Sequence, residues 1–147
     1  MKKIKVSVLA FASAALLLFA GCSARTAATA DEFQKQAKKA GYTVTEETAS
    51  DTSVTKALSA AKSDSGITFE FITFDSDQSA QSGYNSIKEG LSGSGKTVID
   101  SDNYNKYTLT NGELYYVLVR LGNTVLDCQT TTGSQKEAEN FISSLKY

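Results

Sequence analysis

The chain contains no histidine and only two cysteines, Cys22 and Cys128. That removes the commonest zinc ligand and the commonest general base at once, so neither a zinc centre nor a Ser–His or Cys–His nucleophile pair can be assembled. Chemistry is left to carboxylates, tyrosines, lysines and the two arginines, Arg25 and Arg120. Asp100 and Asp102 are spaced as a carboxylate pair, which acid–base catalysis would need in a common cleft. Ser101-Asp102-Asn103 is also ordinary turn chemistry, because Asx side chains hydrogen-bond the backbone of a turn. Asp75-Ser76-Asp77-Gln78-Ser79 opens like a calcium loop. Ala80 stands where the turn glycine is required and Ser86 where the bidentate glutamate is required, so helix capping accounts for these acids better. No metal and no cofactor is expected.

Gly90-Leu91-Ser92-Gly93-Ser94-Gly95-Lys96-Thr97 matches the P-loop pattern G-x-x-x-x-G-K-[ST], in which backbone amides and the lysine cradle phosphates. A P-loop follows a strand and opens a helix whose N-terminus faces the phosphates. Here a helical pattern precedes the segment and a strand pattern follows it, so a helix-to-strand loop is expected and no nucleotide.

The elements that position these residues read as follows. Thr29 and Glu32 have capping-box spacing ahead of a helix with Phe33, Ala37 and Ala40 on one face and Gly41 as its stop. Tyr42 to Glu47 alternates as a strand. Val54 to Ala61 fits a helix through Val54, Ala57, Leu58 and Ala61, or a strand leading into a hairpin at Asp64-Ser65-Gly66; the strand is preferred. Ile67 to Phe74 is the clearest strand, with Ile67, Phe69 and Phe71 on one side and Ile72 and Phe74 on the other, as for a sheet covered on both sides at that end. Asp75 with Gln78 spaces a cap for a second helix bearing Ala80, Tyr84, Ile87 and Leu91. Lys96 to Asp100, Tyr104 to Thr110, Glu113 to Leu121 and Thr124 to Thr130 read as strands joined at Asn111-Gly112 and Gly122-Asn123. Ser134 with Glu137 spaces a capping box for a last helix carrying Ala138, Phe141, Ile142 and Leu145. Hairpin-linked strands with helices packed on them define an α+β domain, an antiparallel sheet of about five to seven strands with about three helices.

Turns at those two dipeptides place Val117 opposite Cys128 and Val119 opposite Leu126. Tyr115, Val117, Val119, Leu126 and Cys128 then share the core face, where a small thiol behaves as a hydrophobe. The opposite face carries Tyr107, Tyr116, Leu118, Arg120, Val125, Asp127 and Gln129. Aromatics beside an arginine, an acid and an amide suit a recognition surface, with Tyr107, Tyr116, Arg120, Asp127 and Gln129 as partner-binding residues. The same pattern suits a helix lying over the apolar members, with Arg120 and Asp127 paired at its edge.

Lys2, Lys3 and Lys5 precede an apolar run that ends Leu16-Leu17-Leu18-Phe19-Ala20-Gly21-Cys22, the form of an export signal. The ending resembles the lipobox of bacterial lipoproteins, with Phe19 in place of the usual leucine. The resemblance implies that residues 1–21 are a signal peptide and that Cys22 receives a diacylglyceryl group. Residues 22–30 are then a tether of roughly 25–30 Å if stretched, and residues 31–147 a single domain. The mature part keeps 12 basic against 16 acidic side chains, a poor match to nucleic-acid phosphates. With Cys22 acylated, Cys128 has no disulfide partner in the chain.

Ala37-x-x-x-Gly41-Tyr42, Ile67-Thr68-Phe69-Glu70-Phe71, Ala80-x-x-x-Tyr84 and Tyr116 to Leu126 together resemble the small uncharacterised lipoproteins of Gram-positive gut bacteria. That resemblance implies a tethered extracytoplasmic domain on the cell membrane and supplies no activity. The expectation is a non-catalytic binding module whose partner is a protein or another component of the cell envelope. The alternative is a cell-wall-directed enzyme using carboxylate or tyrosine acid–base chemistry.

Overall fold

The structure, a computed structural model, describes residues 25–91 and 93–147. The signal peptide and the lipidation expected at Cys22 lie outside the described residues. The elements in chain order are α1 (Ala30–Lys39), β1 (Thr43–Glu46), β2 (Val54–Lys62), β3 (Ile67–Phe74), α2 (Asp77–Gly90), β4 (Lys96–Asp100), β5 (Tyr104–Asn111), β6 (Leu114–Leu121), β7 (Thr124–Thr131) and α3 (Gln135–Ser144). Seven strands form one sheet in the order β1-β2-β3-β7-β6-β5-β4, with every pairing antiparallel. After β3 the chain crosses on α2 to the far edge and meanders back until β7 closes against β3. The fold is α+β, and the segment from Val54 is a strand.

One face of the sheet carries α1 and α3. Phe33 of α1 stacks on Phe71 with ring centroids 4.7 Å apart, and Phe141 of α3 lies 4.7 Å from Phe69. Val117, Val119, Leu126 and Cys128 fill the floor beneath them. Burial drives the Cys128 thiol far above its ordinary pKa, so it is an inert packing group. The other face carries α2, which buries Phe74, Ala80, Tyr84, Tyr107, Leu109, Leu118 and Val125. Alternation puts odd residues of β6 on the first face and even ones on the second, because side chains in a strand repeat every two residues.

Several local expectations need correction. The first hairpin loop is Gly112-Glu113, since Asn111 pairs with Leu114. Gly112 alone takes the positive φ, 60°, which suits a turn with glycine at its first central position. The shift moves two partners at once, so no side chain changes face. The Gly122-Asn123 turn and the Val117–Cys128 and Val119–Leu126 pairs are as expected. The α2 cap is Ser76, whose hydroxyl accepts from the Ser79 amide at 3.1 Å, in place of Asp75. Ser134 makes no cap; its hydroxyl donates to the Ser65 carbonyl at 2.9 Å, and Glu137 pairs with Lys62 at 2.8 Å. Thr29 and Glu32 do form the capping box of α1.

The stretch expected as a tether is packed from Arg25 onward. Arg25 lies 4.7 Å over the Tyr104 ring and donates from Nη1 to the Tyr104 hydroxyl at 3.1 Å and the Lys146 carbonyl at 3.3 Å. Ala27, Ala28 and Ala30 pack against the main core. The part of the leader from Arg25 onward belongs to the domain.

Candidate functional site

The five expected recognition residues fall on the second face, and the structure divides them. Helix α2 runs over β3, β7 and β6 at the sheet centre and leaves the end of β3 and β7 near the Gly66 turn open. Tyr107 goes under cover: it is 8% exposed, with the Lys88 ammonium 5.1 Å over its ring and Gly95 packed against its hydroxyl end. A Cβ at Gly95 would lie 2.0 Å from that ring, so only glycine admits the contact.

Arg120 is 1% exposed and serves the fold. Its Nε donates to Asn105 Oδ1 at 2.7 Å, Nη2 to the Asp102 carbonyl at 2.7 Å and Nη1 to the Gly122 carbonyl at 3.2 Å. Asn105 in turn donates to Asp100 at 2.8 Å. One guanidinium thus ties two turns together, and Asp100 and Asp102 are turn groups within that network. Burial lowers the Arg120 pKa while Asp77 and Asp102 oppose the shift. The alternative edge pair with Asp127 does not form.

Asp127 and Gln129 lie on the uncovered part, and Tyr116 stands at its border, half-buried against the cluster under α2. Tyr116 stands opposite Gln129, and Asp127 stands between Leu118 of β6 and Glu70 of β3. Thr68, opposite Gln129, extends the group. Gly66, Thr68, Glu70, Asp127 and Gln129 line a hollow of about 190 Å³. Asp127 is half-buried, and its Oδ1 is enclosed without any hydrogen-bond partner. Burial first, and the Glu70 charge second, push its carboxyl up to about 6. A buried acceptor without a donor costs roughly 1–3 kcal/mol, more when charged. A ligand ammonium, guanidinium or divalent cation would supply what is missing, and Glu70 one position across would share the charge.

Glu70 and Thr68 are the functional candidates the sequence alone does not assemble. They are the outward residues of the strand that carries Phe69 and Phe71, so their exposure is readable. Their meeting with Asp127 and Gln129 depends on β3 pairing with β7 across more than fifty residues of chain, and no local pattern encodes that pairing.

Two larger depressions have less chemistry. One of about 820 Å³ lies among Arg25, Glu32, Gln36, Ser144 and Lys146, where Arg25 binds the Lys146 carbonyl and Glu32 caps α1. Another of about 500 Å³ runs along Ser79, Ser82 and Ser86 of α2 above Val54, Ile72 and Phe74. Among the described residues no group of three or more acids and cysteines is placed to hold a metal ion, and no helix is long and apolar enough to cross a membrane.

No protein-family model matches the chain, and a search of curated protein sequences finds no match either. Among solved structures, a GTP binding regulator from Thermotoga maritima is similar in fold, with a TM-score of 0.55 and 14% identity over 80% of this chain and 84% of that one. At that identity the likeness is one of architecture, helices packed on an antiparallel sheet.

Proposed function

We propose that the protein is a lipid-anchored, extracytoplasmic, non-catalytic binding module that works on the outer face of the cell membrane. The anchor is Cys22, and the open part of the second sheet face takes a cationic group from a protein or cell-envelope partner. The observation that carries this reading is the Asp127 Oδ1, enclosed beside Glu70 and lacking a donor. Tyr116 and Gln129 flank it and offer an aromatic wall and an amide, the residue types that give such surfaces specificity. Neither a cofactor nor nucleic acid enters this reading.

Nucleotide is left out of it as well, although the Thermotoga maritima neighbour is named for GTP. Gly90 closes α2 and Lys96 opens edge strand β4, so the P-loop-like segment runs from helix to strand. The arrangement offers no helix N-terminus to phosphates.

The test is capture from solubilised membranes by the intact anchored protein, compared with Asp127→Asn, Glu70→Gln and Tyr116→Ala variants that fold at least as stably as wild type. Loss of the partner in Asp127→Asn is expected. Full retention in all three variants would remove the open face from consideration.

A second reading is a cell-wall-directed enzyme with Asp127 as general acid and Glu70 as the ionised partner. The raised Asp127 pKa favours it, since unequal carboxylates are how acid and base roles separate. Release of soluble fragments from purified cell walls, abolished by Asp127→Asn, would decide for it.

A further inference from the structure

The docked leader bears on how the domain stands at its membrane, an inference that rests on the lipid-anchored reading. Arg25 is held by a stacked ring, a hydroxyl and a carbonyl, and the alanines after it are packed. Between Arg25 and Cys22 there are two residues, and three Cα steps span at most about 11 Å in any conformation. The free length is therefore less than half of a tether running to residue 30. We infer that the end of the domain bearing Arg25 and the turns at residues 101–103 and 122–123 lies against the lipid headgroups. The opposite end, with the Gly112-Glu113 and Gly66 turns, then points outward.

Topology identifies the two ends. Tyr104 begins β5 beside Leu121 and the 122–123 turn. Asn111 ends β5 roughly 23 Å further along, at the strand rise of about 3.3 Å per residue. The C-terminal Tyr147 joins the Arg25 end by its hydroxyl bond to Thr124.

Charge does not make this contact. Asp31, Glu32, Asp75, Asp77 and Asp102 belong to the loops and helix starts of the Arg25 end and outnumber its cations, Arg25 and Lys146, so phosphate headgroups repel it on balance. The short leash brings that end to the surface, and the docked Arg25 sets the direction. A consequence follows for the proposed site. Gly66, Thr68 and Gln129 lie toward the far end of β3 and β7, so the hollow opens to the side and outward. Its cationic ligand comes from a protein or wall component, and amine-bearing headgroups of the same membrane stay out of reach.

The experiment uses mature protein with the acyl mass on Cys22 confirmed, reconstituted in phosphatidylcholine vesicles that contain a headgroup-nitroxide lipid. A fluorophore is placed on Asn103→Cys at the near end or Glu113→Cys at the far end; the native Cys128 is buried and unreactive. Quenching about threefold or more stronger at 103 than at 113 is expected, from a reach shorter than the length of the strands. High salt should leave the ratio unchanged, and Arg25→Ala should bring it toward one. Equal quenching at both ends of acylated protein overturns the orientation and leaves the anchor intact. An unchanged ratio in Arg25→Ala overturns the role given to the docked arginine. Absence of acyl mass on Cys22 in exported protein overturns the anchored reading itself, and the orientation with it.

Discussion

Arg120 and Asp127 sit on one face of two adjacent strands, at positions two pairs apart, and meet opposite fates. The arginine is wholly enclosed and every branch of its guanidinium has an acceptor. The aspartate is half-buried and keeps one enclosed oxygen with no donor. Helix α2 makes the difference by covering the centre of the sheet and leaving the Gly66 end of β3 and β7 open. A buried charge with a full set of partners is explained by the fold and asks for no ligand. A charge left incomplete is a standing cost that a ligand can relieve. The covered half of this face is therefore architecture, and the open half is the part that the proposed recognition would use.

The sharpest way to break that contrast is Arg120→Ala. It strands the buried Asn105 Oδ1 and takes the donor from two part-buried turn carbonyls, and a loss of roughly 3–5 kcal/mol is expected, by analogy with removing one member of a buried charged network. Urea titration reads it directly. Arg120→Lys keeps the charge and loses the forked geometry, so a smaller but clear loss is expected. A variant that folds normally while losing the partner would return Arg120 to the recognition surface.

Asp127→Asn should move the other way. A carboxyl raised to about 6 in the folded state binds more protons than in the unfolded chain between its ordinary value and 6. Its ionisation therefore subtracts stability as pH rises through that window, and acidification toward pH 4 restores it. The variant is expected to be more stable than wild type at pH 7–8 by about 1–3 kcal/mol, the advantage fading below pH 4.5. Thermal melts across pH check both sign and window. A variant more stable and yet unable to bind would be the signature of a site kept at the expense of stability.

Much of the fold is legible in the chain because local rules suffice for it. The Thr29–Glu32 capping box, the two faces of Ile67 to Phe74 and the Gly122-Asn123 register each follow from neighbours in sequence. Asn111-Gly112 misleads by one position because the dipeptide is a strong turn signal, whereas the observed loop needs a positive φ only at Gly112. Ser134 and Glu137 mislead because both have better partners across space, Ser65 and Lys62. The site was legible by face and not by half. Sequence puts Tyr107, Tyr116, Arg120, Asp127 and Gln129 on one side, and only the placement of α2 separates the covered from the open.

How closely α2 can lie on the sheet is set by Gly83. A Cβ there would come within 2.5 Å of the Phe74 ring. Gly83→Ala must push the ring or the helix, and a net loss of roughly 1–2 kcal/mol is expected after the helix-propensity gain of about 1. Gly90, at the other end of the same helix, has nothing within 4 Å of such a Cβ. There the same substitution should be neutral or stabilising by up to about 1 kcal/mol. Equal effects at the two positions would mean that α2 lies more loosely on the sheet than the close approach of Gly83 to Phe74 implies.

The smallest expected effect tests the covered half for hidden function. Gly90 to Thr97 skirts that half, with Gly95 under Tyr107 and Lys88 reaching both the Tyr107 ring and the Thr97 hydroxyl at 3.4 Å. For the segment to cradle a phosphate, its amides would have to converge on one point and a helix would have to begin there. Instead a helix ends at Gly90, and Lys96 starts an exposed edge strand that pairs with β5 from Thr108 onward. Calorimetry with ATP or GTP and magnesium should give no saturable heat for wild type, and Lys96→Ala should change nothing. A saturable signal lost in the variant would place function in the half assigned here to architecture, and the division between Arg120 and Asp127 would no longer mark the site.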